Sequence, residues 1–328
     1  MSSSIDATPR SAPGVVAVPA MEPPHPDMVW IPGGEFVMGS DRHYPEEAPA
    51  HRVHVDPFWI DVTAVTNRQF LRFVEATGYV TLAERPANAD DYPGAKRDLL
   101  LPSSIVFRQT AGPVDLSNHL DWWTYVRSAD WRHPQGPDST IEALDDHPVV
   151  HVAFDDAIAY ATWIGKTLPT EAEWEFAARG GLDDAEFAWG DDYLPQGKPM
   201  ANTWQGEFPW QNLAEDGYEA TAPVRAFPAN GYGLFEMTGN VWEWTSDFYQ
   251  DHRRIIRSCC TLDNPRGGSP EESHDPCARA RIPRRVTKGG SYLCAPNYCR
   301  RYRPAARMAQ PIDTSTCHLG FRCIVRDA

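Results

Sequence analysis

Lys288-Gly-Gly-Ser-Tyr-Leu-Cys-Ala-Pro-Asn-Tyr-Cys-Arg-Arg-Tyr-Arg303 carries two thiols five residues apart, Cys294 and Cys299, behind a pair of glycines. Glycine lets a backbone turn sharply or approach another group closely. Pro296 and Asn297, between the cysteines, are turn formers. Such a loop can bring two sulfurs together, either as a disulfide or as two soft ligands on one metal ion. Spacing alone leaves both outcomes open.

The rest of the chain bounds the choice. It has 328 residues, enough for one large domain or two ordinary ones. With 45 acidic against 30 basic side chains the net charge is -15, which disfavours a nucleic-acid backbone and suits a basic partner. Thirty prolines, 23 glycines and 12 tryptophans point to a loop-rich fold ordered by buried rings. No apolar run approaches the roughly 18 residues that span a bilayer, so no membrane role is expected. Residues 1–27 are rich in Ser, Ala and Pro and read as a disordered tail; Val15 to Val18 is too short for a signal-peptide core. The seven cysteines (259, 260, 277, 294, 299, 317, 323) are odd in number and confined to the last quarter. A secreted disulfide scaffold would spread an even set. The expectation is a cytoplasmic protein whose clustered thiols serve redox or metal chemistry.

Order begins at Met28, where alternating apolar residues around Gly33-Gly34 predict a strand, a tight turn and a second strand. His51 to Ile60 alternates again, and places His54 on a strand. Thr66 caps a helix over Asn67–Thr77 with Phe70, Phe73 and Val74 inward and Gly78 as its stop. A strand is expected at Ser104–Phe107. Trp122, Trp123 and Trp131 line a groove or, more commonly, pack in a core. His147 and His151 have metal-like spacing, but lie in a β-like run whose rings would not share a face. A helix is expected over Asp155–Ile164, and another after Thr170, where Thr170-Glu-Ala-Glu173 forms a capping box and Trp174, Ala177 and Ala178 face inward. Glu171 and Glu173 then read as structural. Two acidic loops follow, around Asn202–Tyr218 and Glu236–Trp244. Each mixes carboxylate, amide and glycine, as a cation-wrapping loop or a pair of solvated turns would. Residues 250–285, with Cys259, Cys260 and Cys277, read as an exposed loop.

Several of these stretches in their order resemble one family. They are Glu35-Phe-Val-Met-Gly39, Thr66-Asn67, His147-Pro-Val-Val-His151, Leu168-Pro-Thr-Glu-Ala-Glu-Trp-Glu175, Gly239-Asn-Val-Trp-Glu-Trp244, Gly289-Gly-Ser291 and Leu319-Gly-Phe-Arg-Cys323. Together they are similar to the sulfatase-modifying-factor fold over about residues 28–326. The resemblance implies a single α+β domain related to C-type lectins and low in regular structure, occupying 28–328.

Within that family, paired cysteines placed as Cys294 and Cys299 mark the formylglycine-generating enzymes. The resemblance implies an oxidoreductase that converts the cysteine of a Cys-x-Pro-x-Arg motif in a sulfatase polypeptide to Cα-formylglycine, using O2, Cu(I) and a thiol reductant. It implies that Cys294 and Cys299 hold Cu(I) as thiolates, with the substrate thiolate as third ligand, and Arg300 and Arg301 would favour the charged sulfurs. Ser291 and Trp242 match pocket residues, and Tyr298 is a further candidate. The acidic loops match structural calcium sites. Asn202 and Asp216 (side chains) with Thr203 and Tyr218 (backbone) would form the first. Glu236 and Glu243 (side chains) with Gly239 and Val241 (backbone) would form the second, and Glu236 stands where relatives often carry Asn. His318 likewise stands where Asn is common before Leu-Gly-Phe-Arg. A monomer is expected. The fold also hosts oxidases of small-molecule substrates and noncatalytic lectin-like binding modules, so fold alone does not decide.

Overall fold

The computed structural model describes residues 22–255, 261–278 and 280–326. Among these the strands are β1 (Met28–Ile31), β2 (Gly34–Met38), β3 (His51–Val55), β4 (Phe58–Asp61), β5 (Ser103–Phe107), β6 (Trp123–Arg127), β7 (Trp242–Phe248), β8 (Leu262–Asp263), β9 (Arg284–Lys288), β10 (Arg307–Pro311), β11 (Leu319–Gly320) and β12 (Ile324–Val325). The helices are α1 (Asn67–Thr77), α2 (Phe154–Trp163), α3 (Glu171–Arg179) and the short α4 (His252–Ile255). Four small sheets, β1-β4-β12, β10-β9-β7-β11, β2-β3-β8 and β5-β6, are joined by long ordered loops. This is the single α+β, loop-rich domain expected.

The helix signals translate directly. Thr66 Oγ1 accepts the Gln69 amide and Gly78 closes α1 at φ 68°. Thr170 and Glu173 exchange the reciprocal capping bonds at the start of α3. Helix α2 begins one residue before the expected Asp155. The packing of α3 was not foreseen: all nine of its residues are buried, charged ones included. It lies beneath β9 and β7 and touches β2 and β3 as well, so no face of it meets water.

The glycine turn and the run after it differ from the reading. The strands flanking Gly33 do not pair with each other; β1 pairs with β4 and β2 with β3. Gly33 instead lets the chain step between sheets, at φ 68°, where a Cβ would come within 2.4 Å of the Val55 carbonyl. His51–Ile60 is likewise two strands rather than one, parted at Asp56-Pro57 because proline has no amide to donate. Strand β6 was missed, and Trp122 and Trp131 are core rings. Residues 250–285 are not uniformly exposed, since His252 and Ser273 are buried; Cys259 and Cys260 lie outside the described residues. Most of the expected tail does too, while Asp27 is tied down by the Val62 amide and Arg225.

The central sheet carries the site. Strand β9 lies between β7 and β10, antiparallel to both, and β11 joins the other edge of β7 in parallel. The sheet is pinned by ion pairs removed from water. Lys288 at the end of β9 meets Glu175 at 2.9 Å, Arg307 of β10 meets Glu171 at 2.6 Å, and Arg303 meets Glu47 at 2.5 Å. Burial pushes the Glu171 carboxyl up, but Arg307, His252 and Lys288 outweigh it and hold it well below the carboxylate range. Reading Glu171 as structural thus fits its surroundings.

Candidate active site

Strand β9 ends at Lys288, and Gly289 and Gly290 turn the chain into the cysteine loop. Gly290 adopts φ 71°, and a Cβ there would lie 2.7 Å from the Arg301 carbonyl. Only glycine lets the entry and exit of the loop pass this closely. The loop then folds on its own backbone. The Cys294 amide donates to the Ser291 carbonyl (2.9 Å), and the amides of Tyr298 and Cys299 both donate to the Ala295 carbonyl (3.2 and 2.9 Å). The second of these spans four residues, one turn of a helix, and carries the second cysteine back beside the first.

The result is a pair of buried sulfurs 3.2 Å apart and not bonded to each other. Their surroundings divide them. The Ser291 amide points at Cys294 Sγ (3.4 Å), yet burial and the neighbouring sulfur push that thiol well up. Cys299 is brought down to about 6, first by the hydrogen bond from Cys294 and then by the Arg301 guanidinium, whose Nη1 lies 3.7 Å away. These opposed shifts favour Cys294 as the donor and Cys299 as the acceptor of their contact. Arg301 is held by Glu46 at 2.5 Å and lies over the Tyr44 ring. Arg300, expected to share this role, turns away to Glu186 (3.1 Å).

The other expected site residues gather here, at different depths. Ser291 is buried at the loop entry, and its Oγ accepts the Leu293 amide (3.2 Å). Trp242 is buried in the same apolar cluster as Cys294, Cys299 and Tyr302. Tyr298, next to Cys299, is 37% exposed, stacked on Phe208 (4.5 Å) and edge-on to Trp122 (5.4 Å). Two neighbours were not singled out as site residues. His318 Nδ1 lies 3.0 Å from Ser291 Oγ, and the Trp123 ring meets the His318 ring edge-on at 4.9 Å. The substitution of His for Asn was visible in the sequence, but its contact with Ser291, 27 residues away, was not. The histidines at 147 and 151 do not converge. His151 is buried between Ser104 Oγ and the Pro134 carbonyl, and His147 faces Thr221.

The acidic loops fare differently as cation sites. In the first, Asn202 is buried, its amide nitrogen donates to the Ala220 carbonyl (2.9 Å), and its Oδ1 is a buried acceptor with no protein partner. In the same loop Asp216 accepts from the amides of Thr203 (3.1 Å) and Tyr218 (3.0 Å) and from the Gln205 side chain (2.9 Å). An orphaned oxygen in an oxygen-rich loop fits a hard cation. In the second, Glu243 already has its counter-cation: Arg322 grips both oxygens at 2.8 Å, and the Trp174 indole donates at 2.7 Å. Glu236 accepts the amides of Arg225 and Phe227. Those carboxylates do not fit a shared calcium ion with Gly239 and Val241, because a guanidinium supplies the positive charge instead.

Comparison with known proteins places this geometry in a lineage. A profile described as the sulfatase-modifying factor enzyme 1-like domain matches residues 15–327. The chain belongs to that family. It is 52% identical to the formylglycine-generating enzyme of Mycobacterium tuberculosis over 302 residues, covering 91% of this chain and 97% of that one. It is 46% identical to the enzyme of the same name from Bos taurus, covering 95% and 78%. An inactive Cα-formylglycine-generating enzyme 2 from Mus musculus is less similar, at 38% over 91% and 85%. Among solved structures, PvdO from Pseudomonas aeruginosa shares the fold, with a TM-score of 0.60 at 23% identity over 92% of this chain and 94% of that one.

Proposed function

We propose that this member of the sulfatase-modifying factor family is an active formylglycine-generating enzyme that oxidises a cysteine in a sulfatase polypeptide to the Cα-formyl aldehyde. The observation that carries the reading is the buried, unbonded Cys294–Cys299 pair, with its sulfurs 3.2 Å apart and Arg301 beside one of them. Higher identity to the relatives named as active than to those named inactive supports it.

Two thiols, one already inclined to ionise, suit a soft monovalent ion. Cys294 and Cys299 would hold Cu(I), which would supply the capacity to engage O2 and the substrate thiol. The chain's own residues do the rest. The Ala295 carbonyl fixes the loop that sets the sulfurs side by side. Arg301 offsets negative charge at Cys299, Trp242 and the apolar cluster exclude water, and Ser291 brings a hydroxyl to the loop entry. Tyr298, partly exposed next to Cys299, would meet an incoming polypeptide.

The electron balance defines the co-reactants. O2 takes up four electrons, two from the substrate's Cβ–sulfur unit and two from a thiol reductant that becomes a disulfide, giving two waters. One water then hydrolyses the thioaldehyde to the aldehyde and hydrogen sulfide. The proposal extends to a structural Ca2+ at the Asn202 loop, to a monomer, and to a reducing cytoplasmic setting that keeps the pair as thiols.

Incubating the protein with a Cys-x-Pro-x-Arg peptide, Cu(I), a thiol and air tests the reading. Mass spectrometry is expected to find the aldehyde, trapped by a hydrazide probe. An unchanged peptide in the presence of bound copper would instead point to an oxidase with another substrate.

A further inference from the structure

A cleft of about 410 Å³ opens beside the cysteine loop. Its walls are largely apolar: Trp189, Tyr193, Leu194, Met200 and Trp204 line it, and so does Pro296, from between the two cysteines. Three links tie it to the sulfurs. The Trp204 amide donates to the Cys294 carbonyl at 3.0 Å. The Tyr193 ring stacks on Tyr302 at 5.1 Å, and Tyr302 belongs to the apolar cluster that holds Cys294 and Cys299. Pro296 is two residues along the chain from Cys294, which limits their separation to about 7 Å. One carboxylate, Glu215, also lines the cleft; it is exposed and joins no ion pair among the described residues.

We propose that this cleft receives an apolar side chain of the polypeptide substrate, from just before the reacting cysteine, with a neighbouring lysine or arginine facing Glu215. The identity of that polypeptide rests on the formylglycine reading. An apolar, aromatic recess of this size takes one or two side chains rather than a folded partner. Its free carboxylate, on a chain of net charge -15, favours a basic neighbour for the apolar residue. The direction follows from the motif itself. In Cys-x-Pro-x-Arg the fixed proline and arginine both follow the cysteine and need contacts of their own. A wall this close to the sulfurs is then left for the residues that precede it.

Matched peptides test the proposal. Each contains the motif, preceded either by Lys-Leu-Lys-Leu or by Gly-Ser-Gly-Ser; a third carries Lys-Leu-Lys-Leu after the arginine instead. With serine in place of the reactive cysteine, calorimetry on full-length, metal-free protein measures binding without chemistry. The Lys-Leu leader is expected to bind about tenfold more tightly than the Gly-Ser leader, with no such gain when it follows the arginine. Leu194 is 40% exposed and Glu215 lies on the surface, so neither can be changed at the expense of the core. Leu194→Ser is expected to cut the gain to about threefold. Glu215→Lys is expected to reverse the charge preference, so that a Glu-Leu-Glu-Leu leader binds better than Lys-Leu-Lys-Leu. Equal affinity for the two leaders, a gain from the C-terminal placement, or a gain undiminished in both variants overturns the proposal. With reactive peptides the same ratio should appear in KM rather than kcat. If the leader strengthens binding but no peptide is converted, the formylglycine reading fails and the cleft assignment stands. If both leaders are converted with one kcat/KM, the cleft assignment fails and that reading stands.

Discussion

Arg301 directs its guanidinium at the sulfur of Cys299 across 3.7 Å, while among the described residues Cys294 has no hydrogen bond from a cationic side chain and feels Arg301 more weakly than it feels burial and Cys299. The asymmetry makes one thiol of the pair the acid and the other the anion. Metal-free protein should therefore react with iodoacetamide first at Cys299, with a midpoint near pH 6. Below that pH the site is protonated and slow; above it the thiolate reacts. Arg301→Gln removes a lowering influence, so the midpoint should rise by about one unit or more. Peptide mapping of the alkylated cysteine across pH checks both statements. An unmoved midpoint would show that Cys294 alone sets the ionisation.

Loss of either sulfur should be complete in effect. Cys294→Ser and Cys299→Ser each replace a soft ligand by a hard one. Each is expected to abolish Cu(I) retention under competition with a chelator and to reduce peptide conversion below detection. Full turnover by the double variant would remove the basis of the proposed chemistry.

The orphaned oxygen of Asn202 gives the calcium proposal its own test. Millimolar Ca2+ should raise the melting temperature of the wild type, and a chelator should reverse the rise. Ligand at a hundred times its dissociation constant stabilises by about 2.7 kcal/mol, which corresponds to several degrees for a protein of this size. Asn202→Leu keeps the volume and removes the donor, so calorimetry should find its melting temperature indifferent to Ca2+. A rise of undiminished size in that variant would place the ion elsewhere.

Glu47 and Arg303 bury opposite charges, and among the described residues neither has a second ion-pair partner. Glu47→Gln leaves Arg303 charged and largely unpaired in the interior, at a cost of about 3–5 kcal/mol. Urea denaturation should report that loss. Because Arg303 Nε also holds the Arg300 carbonyl at 2.8 Å, just after the second cysteine, Cys299 should become more accessible to alkylation in the same variant.

These contrasts follow the range of the interaction. Thr66 with Gln69 and Thr170 with Glu173 form their bonds within three residues, so both helix starts were legible. The tight loop around Pro296 was legible for the same reason. What decides Glu243 lies 79 residues away in Arg322, and Glu171 meets Arg307 across 136. No local pattern announces either pair, and so Glu243 was read as a calcium ligand, while Glu171, rightly read as structural, gave no sign of the arginine it meets. Strand β6 was obscured differently: its Trp-Thr-Tyr-Val-Arg run becomes a strand by pairing with β5, which no local pattern announces, although core packing was the commoner reading of the tryptophans.

Strand β12 pairs with β4, and Thr167 and Ile324 exchange backbone hydrogen bonds, so residues 324–325 close a sheet begun near residue 28. Just upstream of that closure lie Arg322, which clamps Glu243 on β7, and His318, which reaches Ser291. During synthesis, then, the cysteine loop leaves the ribosome before the residues that arrange it. A nascent chain halted at residue 315 would carry both sulfurs but lack Arg322, His318 and the closing strand. The arrangement of the cysteine loop would thus depend on chain made after the cysteines themselves.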